Sequence, residues 1–433
     1  MKFFTRRSFL KLLGMLAFFG GIGSFAAHFN IFSKTAKSIE RLAKPAMPDA
    51  EFFRQIITVH PEKSRTFMWQ SDDERPAQLV ELRETGTDSV TVVEAVSEPF
   101  TDDNRTGFMH TARIDTLRPG TSFEWRVRDG EMLTEWKSLR TPEVNQPCKV
   151  IIFPDSQSAD YSGWSELAHA ARERSMNADF FINMGDLVDN GEARSQWDDW
   201  LRGVTPMIES IPFAPIMGNH ETYDRDWNVR LPAAYLAEFA TPEVAGSAFP
   251  RYYYSFDYGP VHFAVLNTQW RETEDFQAGL LEEQLEWLPR DMAATKKPWK
   301  VVLLHKDVLQ YRLKDTTRFA DRKEGFSDIG QQWMPVFDAL DIDLVLSAHL
   351  HTYRRRGHIK GFARSENGPL YVLTGVAGDV RYVGIWVDHA LDVAVAPQPE
   401  MDNYMTLEAD DRRLTLRAFL PDGTQIDAAS LER

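Results

Sequence analysis

Five short apolar runs, each closing on a carboxylate, an amide or an imidazole, restrict the fold of this chain more than any other feature. "KVIIFPD" ends at Asp155, "ADFFINMGD" at Asp186 and "PFAPIMGNHE" on Asn219 and His220. "KPWKVVLLHKD" reaches His305, and "DLVLSAHLH" ends with His349 and His351. Such continuous apolar runs suit strands buried on both faces. Segments with helical spacing separate them, among them "YSGWSELAHAARERSM", "QWDDWLRGVTPMIES" and "GLLEEQLEWLPRDMAAT". Strands alternating with helices predict an α/β core of mostly parallel strands, and parallel sheets keep their ligands at the carboxyl ends of strands. The five polar endings are therefore expected along one edge. Glycines before Asp186 and Asn219 are expected to permit the sharp reversals needed there.

His349 and His351 are one residue apart. On a strand, residues i and i+2 share a face, so both imidazoles are expected to project together from a strand end. Taken alone, a His-x-His pair is as compatible with two solvated loop histidines; the four other endings are what favour a common site. "RYYYSFDYGPVHFAVLNT" reads as a hairpin, with His262 packing or hydrogen bonding inside it, and His169 lies on a helix. "YMTLEADDRRLTLRAFLPDGTQID" reads as two strands completing the second sheet, and Asp379, Val380 and Arg381 as lining the mouth of the site. The run Arg354, Arg355, Arg356 suits either a solvated face or an anionic substrate.

Upstream, "FRQIITVH", "SRTFMWQS", "AQLVELRE", "SVTVVEAVSE", "MHTARIDTL" and "SFEWRVRDG" are short, rich in β-branched and aromatic residues, and punctuated by Gly, Asp or Pro. They predict a β-sandwich over residues 51–142, in which His60 and His110 are surface or packing residues. The α/β domain is expected over 147–433, so 433 residues divide into two folded domains.

The amino terminus carries an address. "FFTRRSFLK" precedes the apolar "LLGMLAFFGGIGSFAA", and Arg6 and Arg7 followed by Ser8, Phe9, Leu10 and Lys11 resemble a twin-arginine (Tat) export signal. The expected plan is a signal peptide or uncleaved membrane anchor over 1–30, a linker over 31–50, and a periplasmic or extracellular destination reached through the Tat machinery. The apolar stretch is shorter than the ~20 residues of a comfortable membrane span. Cys148 is the single cysteine, so no intramolecular disulfide forms. With 49 Lys plus Arg against 64 Asp plus Glu, the net charge is −15, which argues against a partner that is a nucleic-acid polymer. It does not argue against a small phosphorylated substrate, because bound cations outweigh global charge locally.

Asp155-x-Gln157, "GDLVDN", "GNHE", "LLH" and "AHLH" resemble the motifs of calcineurin-like metallophosphoesterases. "HTARIDTLRPGTSFEWRV" resembles the fibronectin type III-like domain that precedes the catalytic domain in purple acid phosphatases. The resemblance implies a four-layer αββα fold, two facing sheets flanked by helices, behind the β-sandwich. It implies two metal ions, divalent or of mixed valence and drawn from Fe, Mn and Zn. Asp155, Gln157 and His351 would hold the first, Asn219, His305 and His349 the second, with Asp186 bridging. Histidine and carboxylate ligands suit those metals. His220 would contact the phosphate or protonate the leaving oxygen; a purely orienting role is the alternative. A shared water attacking phosphorus in line makes the chain a hydrolase of phosphate esters, with phosphomonoesters favoured over diesters such as nucleotides or phospholipid head groups. A binding protein on the same fold is the third reading, and retention of all five endings speaks against it.

Three positions depart from the family pattern. Asp189 stands where purple acid phosphatases have a tyrosine, Ala348 replaces the glycine before the paired histidines, and Gln157 replaces a ligating histidine of the wider family.

Overall fold

The computed structural model describes residues 50–75, 77–314 and 322–433. The expected signal peptide or anchor and all but the last residue of the expected linker lie outside the described residues. Among the described residues no helix is long and apolar enough to cross a membrane.

The apolar runs of the core are strands, and their alternation sorts each strand's residues into two layers. Val150 and Ile152 of Cys148–Phe153, Val301 and Leu303 of Trp299–Leu304, and Leu344 and Leu346 of Leu344–Ser347 share one buried cluster, which lies between two facing sheets. Ile151, Phe153, Val302, Leu304 and Val345 point the other way, into a cluster with the helices. Because both faces are covered, neither tolerates a polar residue, which is why the runs read as continuous.

The helices present matching stripes. Ser162–Arg174 buries Trp164, Leu167, Ala168 and Ala171, and Arg194–Val204 buries Trp197, Trp200, Leu201 and Val204, both at helical spacing. Trp164 and Trp200 stack with centroids 5.6 Å apart. Gly203 lets the helices meet, since a Cβ there would lie 2.7 Å from the Trp164 ring. On the second sheet, Asp328–Ala339 starts at Ser327, whose side chain accepts a hydrogen bond from the Gly330 N–H. The four-layer αββα arrangement is thus present.

The second sheet runs in the order Tyr254–Tyr258, Val261–Leu266, Trp299–Leu304, Leu344–Ser347, Leu370–Thr374, Tyr353–Lys360 and Ala363–Arg364. Its first two strands form the expected hairpin. The first sheet places Cys148–Phe153, Phe180–Asn183 and Phe213–Pro215 side by side and parallel. The carboxyl-terminal segment makes three strands rather than two, Tyr404–Ala409, Arg413–Phe419 and Gln425–Glu432, and joins this first sheet, not the second. Tyr404–Ala409 fills the open edge of Cys148–Phe153, and the last strand, largely solvated, carries too few apolar residues to announce itself.

Residues 51–140 form two facing layers around Phe67, Trp69, Val80, Leu82, Trp125 and Val127. This is the expected β-sandwich, with one addition. Ile56 pairs in parallel with Phe213, so one sandwich layer continues without a break into the first α/β sheet, making ten strands in all. The Arg54 guanidinium reinforces the seam with hydrogen bonds to the Glu238 carbonyl and carboxylate at 2.9 and 2.8 Å.

The arginine run is neither a solvated face nor an anion site. Arg354 and Arg356 are buried on one face of Tyr353–Lys360. Arg354 bonds Asp388 and Asp392, while Arg356 bonds Asp307 and the Tyr311 hydroxyl. Arg355, on the other face, pairs with Asp427.

Candidate metal centre

All five strand endings meet on one edge. Asp186, His305 and His349 have ligand atoms within 4.8 Å of one another, as do Asp155, Asp186 and His351. The two groups share Asp186. Asn219 joins the first group, its Oδ1 3.2 Å from His305 Nε2. Gln157 and His220 complete the cluster, with Gln157 Nε2 3.1 Å from His220 Nε2. Every residue expected at the site is therefore brought to it.

The backbone makes this crowding possible in two ways. Gly185 and Asp186 have φ of 97° and 51°, a left-handed pair that turns the chain back. Gly218 works by absence of volume instead: a Cβ there would lie 2.1 Å from Asp186 Oδ1. Of the two glycines, only the one before Asp186 acts through a reversal.

The backbone that carries the paired histidines differs from the expected strand. The strand ends at Ser347, and His349 and His351 lie beyond it with φ of 77° and 51°. Left-handed backbone, not strand alternation, directs them, and they reach different groups: His349 joins Asp186 and His305, and His351 joins Asp155 and Asp186. The His349 N–H donates to both Asp155 carboxylate oxygens at 3.0 Å, tying the ends of the two sheets together.

The imidazoles are oriented from behind. His305 Nδ1 lies 2.9 Å from the Met184 carbonyl and His351 Nδ1 2.9 Å from that of Val380. Each Nδ1 therefore carries the proton it donates, leaving Nε2 toward the carboxylates. His305 Nε2 is 3.0 Å from Asp186 Oδ2, and His351 Nε2 is 3.5 Å from Asp155 Oδ1.

Electrostatics follows from this packing. Burial disfavours the Asp186 anion, but the positive charge available at His305 and His220 prevails and holds its carboxyl far below the usual range. Burial likewise opposes the His305 cation, yet Asp186 raises it to about 9. Burial, with His305 adding to it, pushes His349 well below an ordinary imidazole. A buried carboxylate that holds a proton on a neighbouring imidazole marks a site built for positive charge, and cation binding displaces such a proton.

The residues fit a pair of divalent cations. Two ligand groups share one carboxylate, His349 Nδ1 and Gln157 Oε1 are buried without a protein partner, and two imidazoles have their tautomers set by backbone carbonyls. Mixed imidazole, carboxylate and amide donors suit Mn, Fe or Zn.

Asp189 does not point to the carboxylate groups. Its carbonyl lies 2.7 Å from His220 Nδ1 and its carboxylate 3.4 Å away, so it orients His220. A different phenol is near: Tyr382 stacks on His351 with centroids 4.5 Å apart. Asp379 accepts the Ala159 and Asp160 N–H groups, and Val380 supports His351, so that segment braces the first ligand loop rather than simply lining a mouth.

One important residue was missed by sequence reasoning. Glu221 is fully buried and accepts N–H groups of Asp186 and Gly218 on one oxygen and of Leu187 on the other. It fastens the two ligand loops to each other. Burial, then the nearby Asp186 charge, pushes its carboxyl up to about 7. Its place in "GNHE" was the available signal.

Comparison with known proteins agrees with this geometry. Residues 148–353 match the calcineurin-like phosphoesterase family, and residues 53–141 match the purple acid phosphatase N-terminal domain. The chain is 23% identical over 324 residues to purple acid phosphatase 15 of Arabidopsis thaliana, covering 68% of this chain and 57% of that protein. It spans about three fifths of the length of the curated relatives it matches. Among solved structures, a purple acid phosphatase from yellow lupin (Lupinus luteus) seeds superposes with TM-score 0.73 at 18% identity, covering 90% of this chain and 75% of that one. PhoD superposes with TM-score 0.61 at 13% identity, covering 90% of both chains. With both matched segments in order and the carboxylates and imidazoles gathered at the strand ends, the chain carries a calcineurin-like phosphoesterase domain over residues 148–353, preceded over 53–141 by a segment like the N-terminal domain of purple acid phosphatases.

Proposed function

We propose that the protein hydrolyses phosphomonoesters at a binuclear metal centre. The observation that carries this reading is the pair of ligand groups joined through Asp186. Asp155, Gln157 and His351 would hold one ion, Asn219, His305 and His349 the other, with Asp186 between them. Bound there, two divalent ions supply charge stabilisation to the phosphoryl oxygens and make a water nucleophilic near neutral pH.

The chain's own residues do the rest. His305 and His351, held by backbone carbonyls, keep their Nε2 lone pairs in place, and Glu221 fixes the backbone of both loops. His220, with Nδ1 committed to the Asp189 carbonyl, has Nε2 to exchange a proton with the leaving oxygen. Its backbone N–H also donates to Asp186 Oδ1 at 2.9 Å, which sets its position against the bridging carboxylate.

Metal analysis of protein reloaded with Mn, Fe or Zn, with matched assays on phenyl phosphate and bis(4-nitrophenyl) phosphate, tests the reading. Two ions per chain and faster monoester turnover are expected; faster diester turnover would reassign the substrate class, and one ion per chain would end the binuclear scheme. Because Asp189 occupies the tyrosine position, iron-loaded protein should lack a strong visible phenolate band. Export through the Tat machinery to the periplasm or exterior is inferred from Arg6 and Arg7 with the apolar stretch after them. Replacing both arginines with lysine should retain the protein in the cytoplasm, and undiminished export would refute it.

A further inference from the structure

Immediately after "GNHE" the chain makes a small closed loop. Tyr223 bridges Val229, the Trp227 N–H donates to the Asp224 carbonyl at 3.1 Å, and the Asp224 carboxylate accepts the N–H groups of Asp226 and Asn228 at 2.9 and 2.8 Å. This loop holds Trp227 at φ 66°, a conformation bulky residues rarely adopt, with the residue 54% exposed. An exposed indole in strained backbone adds nothing to the core. Strain of this kind, where surrounding bonds over-determine it, marks a functional position.

Its surroundings suggest which function. The indole stands perpendicular to the His220 ring, centroids 5.6 Å apart, and Tyr223 meets His220 edge-on at 5.5 Å. Trp227 and Tyr223 are 6.0 Å apart. An aromatic wall thus begins at the imidazole assigned to the leaving oxygen and extends into solvent. A group attached to that oxygen would lie against this wall. A flat π surface there recognises another flat π surface, and tolerates its substituents.

We propose that Trp227 forms the leaving-group subsite, and that the substrate carries a planar aromatic or heteroaromatic group on the ester-oxygen side. This rests on the hydrolytic reading above. The shared chemistry has two sources, an aryl phosphate, with the ring directly on the ester oxygen, or a nucleotide, with the ring beyond a sugar.

Binding of non-hydrolysable phosphonates to the metal-loaded protein tests the subsite without turnover. By calorimetry, phenylphosphonate should bind about 5- to 150-fold more tightly than methylphosphonate, the range of aromatic stacking. Trp227→Ala should bring that ratio close to one with the metal content unchanged, and Trp227→Phe should restore most of it. In parallel, KM for AMP against ribose 5-phosphate isolates the base; a preference there that Trp227→Ala removes identifies the nucleotide source, and a preference confined to phenylphosphonate the aryl one. No preference in either pair, or a preference that survives Trp227→Ala, would overturn the proposal. A preference that depends on Trp227 in a protein hydrolysing none of these esters would uphold the subsite and overturn the hydrolytic reading instead.

Discussion

Arg230 holds Asp102 through two parallel hydrogen bonds of 2.9 Å each, joining the loop beside His220 to a hairpin tip 128 residues earlier. The tip turns at Asp103 and Asn104, both with positive φ, and Asp103 in turn accepts a hydrogen bond from Arg225 at 2.9 Å. The sandwich therefore grips both sides of the loop that carries Trp227. Its contribution to the site is positional.

Asp102→Ala should accordingly separate stability from recognition. Losing a two-pronged, charge-assisted contact at a partly buried place should cost about 1–2 kcal/mol, read from urea denaturation. KM for aromatic esters should rise several-fold while two ions per chain are retained. An unchanged KM would reduce the hairpin to scaffolding.

Asp186→Asn should release both ions. The amide keeps the shape but removes the charge shared by both ligand groups. Plasma emission analysis should show less than one ion per chain, and hydrolysis should be nearly abolished with circular dichroism unchanged. Full activity with both ions present would contradict the bridge.

His220→Ala should keep both ions and lose turnover by roughly 10²–10⁴-fold, the usual contribution of a general acid or base. The loss should be greatest for an alkyl ester and least for nitrophenyl phosphate, whose leaving oxygen needs little protonation. Equal losses on both would assign His220 to phosphate positioning, and a lost ion would make it structural.

His262 gives a pH dependence away from the site. Burial opposes its cation, but hydrogen bonds to Asp257 and Asp291 at 2.7 and 2.9 Å raise it to about 9. Its unfolded value is near 6.5, so the folded state binds the proton more tightly. The resulting stabilisation, on the order of 3 kcal/mol, is complete below about pH 6.5 and fades as pH rises through about 9. Urea midpoints of the wild type and of His262→Gln should therefore differ at pH 6 and converge by pH 10; a constant difference would exclude the linkage.

What the sequence disclosed depended on how locally each feature is encoded. Cys148–Phe153 and Trp299–Leu304 announce themselves because strands covered on both faces need unbroken apolar residues. Their polar endings follow from parallel topology, so Asp155, Asp186, Asn219, His305, His349 and His351 were legible together. The geometry of His349 and His351 was not, because alternation holds only while a strand lasts and theirs stops at Ser347. Arg354 and Arg356 misled because their counter-charges, Asp307, Asp388 and Asp392, are remote in sequence. Glu221 and Trp227 matter through what surrounds them, and neither belongs to a periodic pattern.

The parallel pairing of Ile56 with Phe213 also sets a timetable for synthesis. A strand made near the beginning of the chain cannot find its neighbour until roughly 160 more residues have emerged, on the order of ten to thirty seconds at about 5–20 residues per second. Throughout that interval the nascent sandwich presents an unpaired rim, the kind of surface on which strands of other chains add. Ribosome pausing or chaperone depletion within that window should therefore reduce the yield of this protein more than that of one whose early strands pair only among themselves.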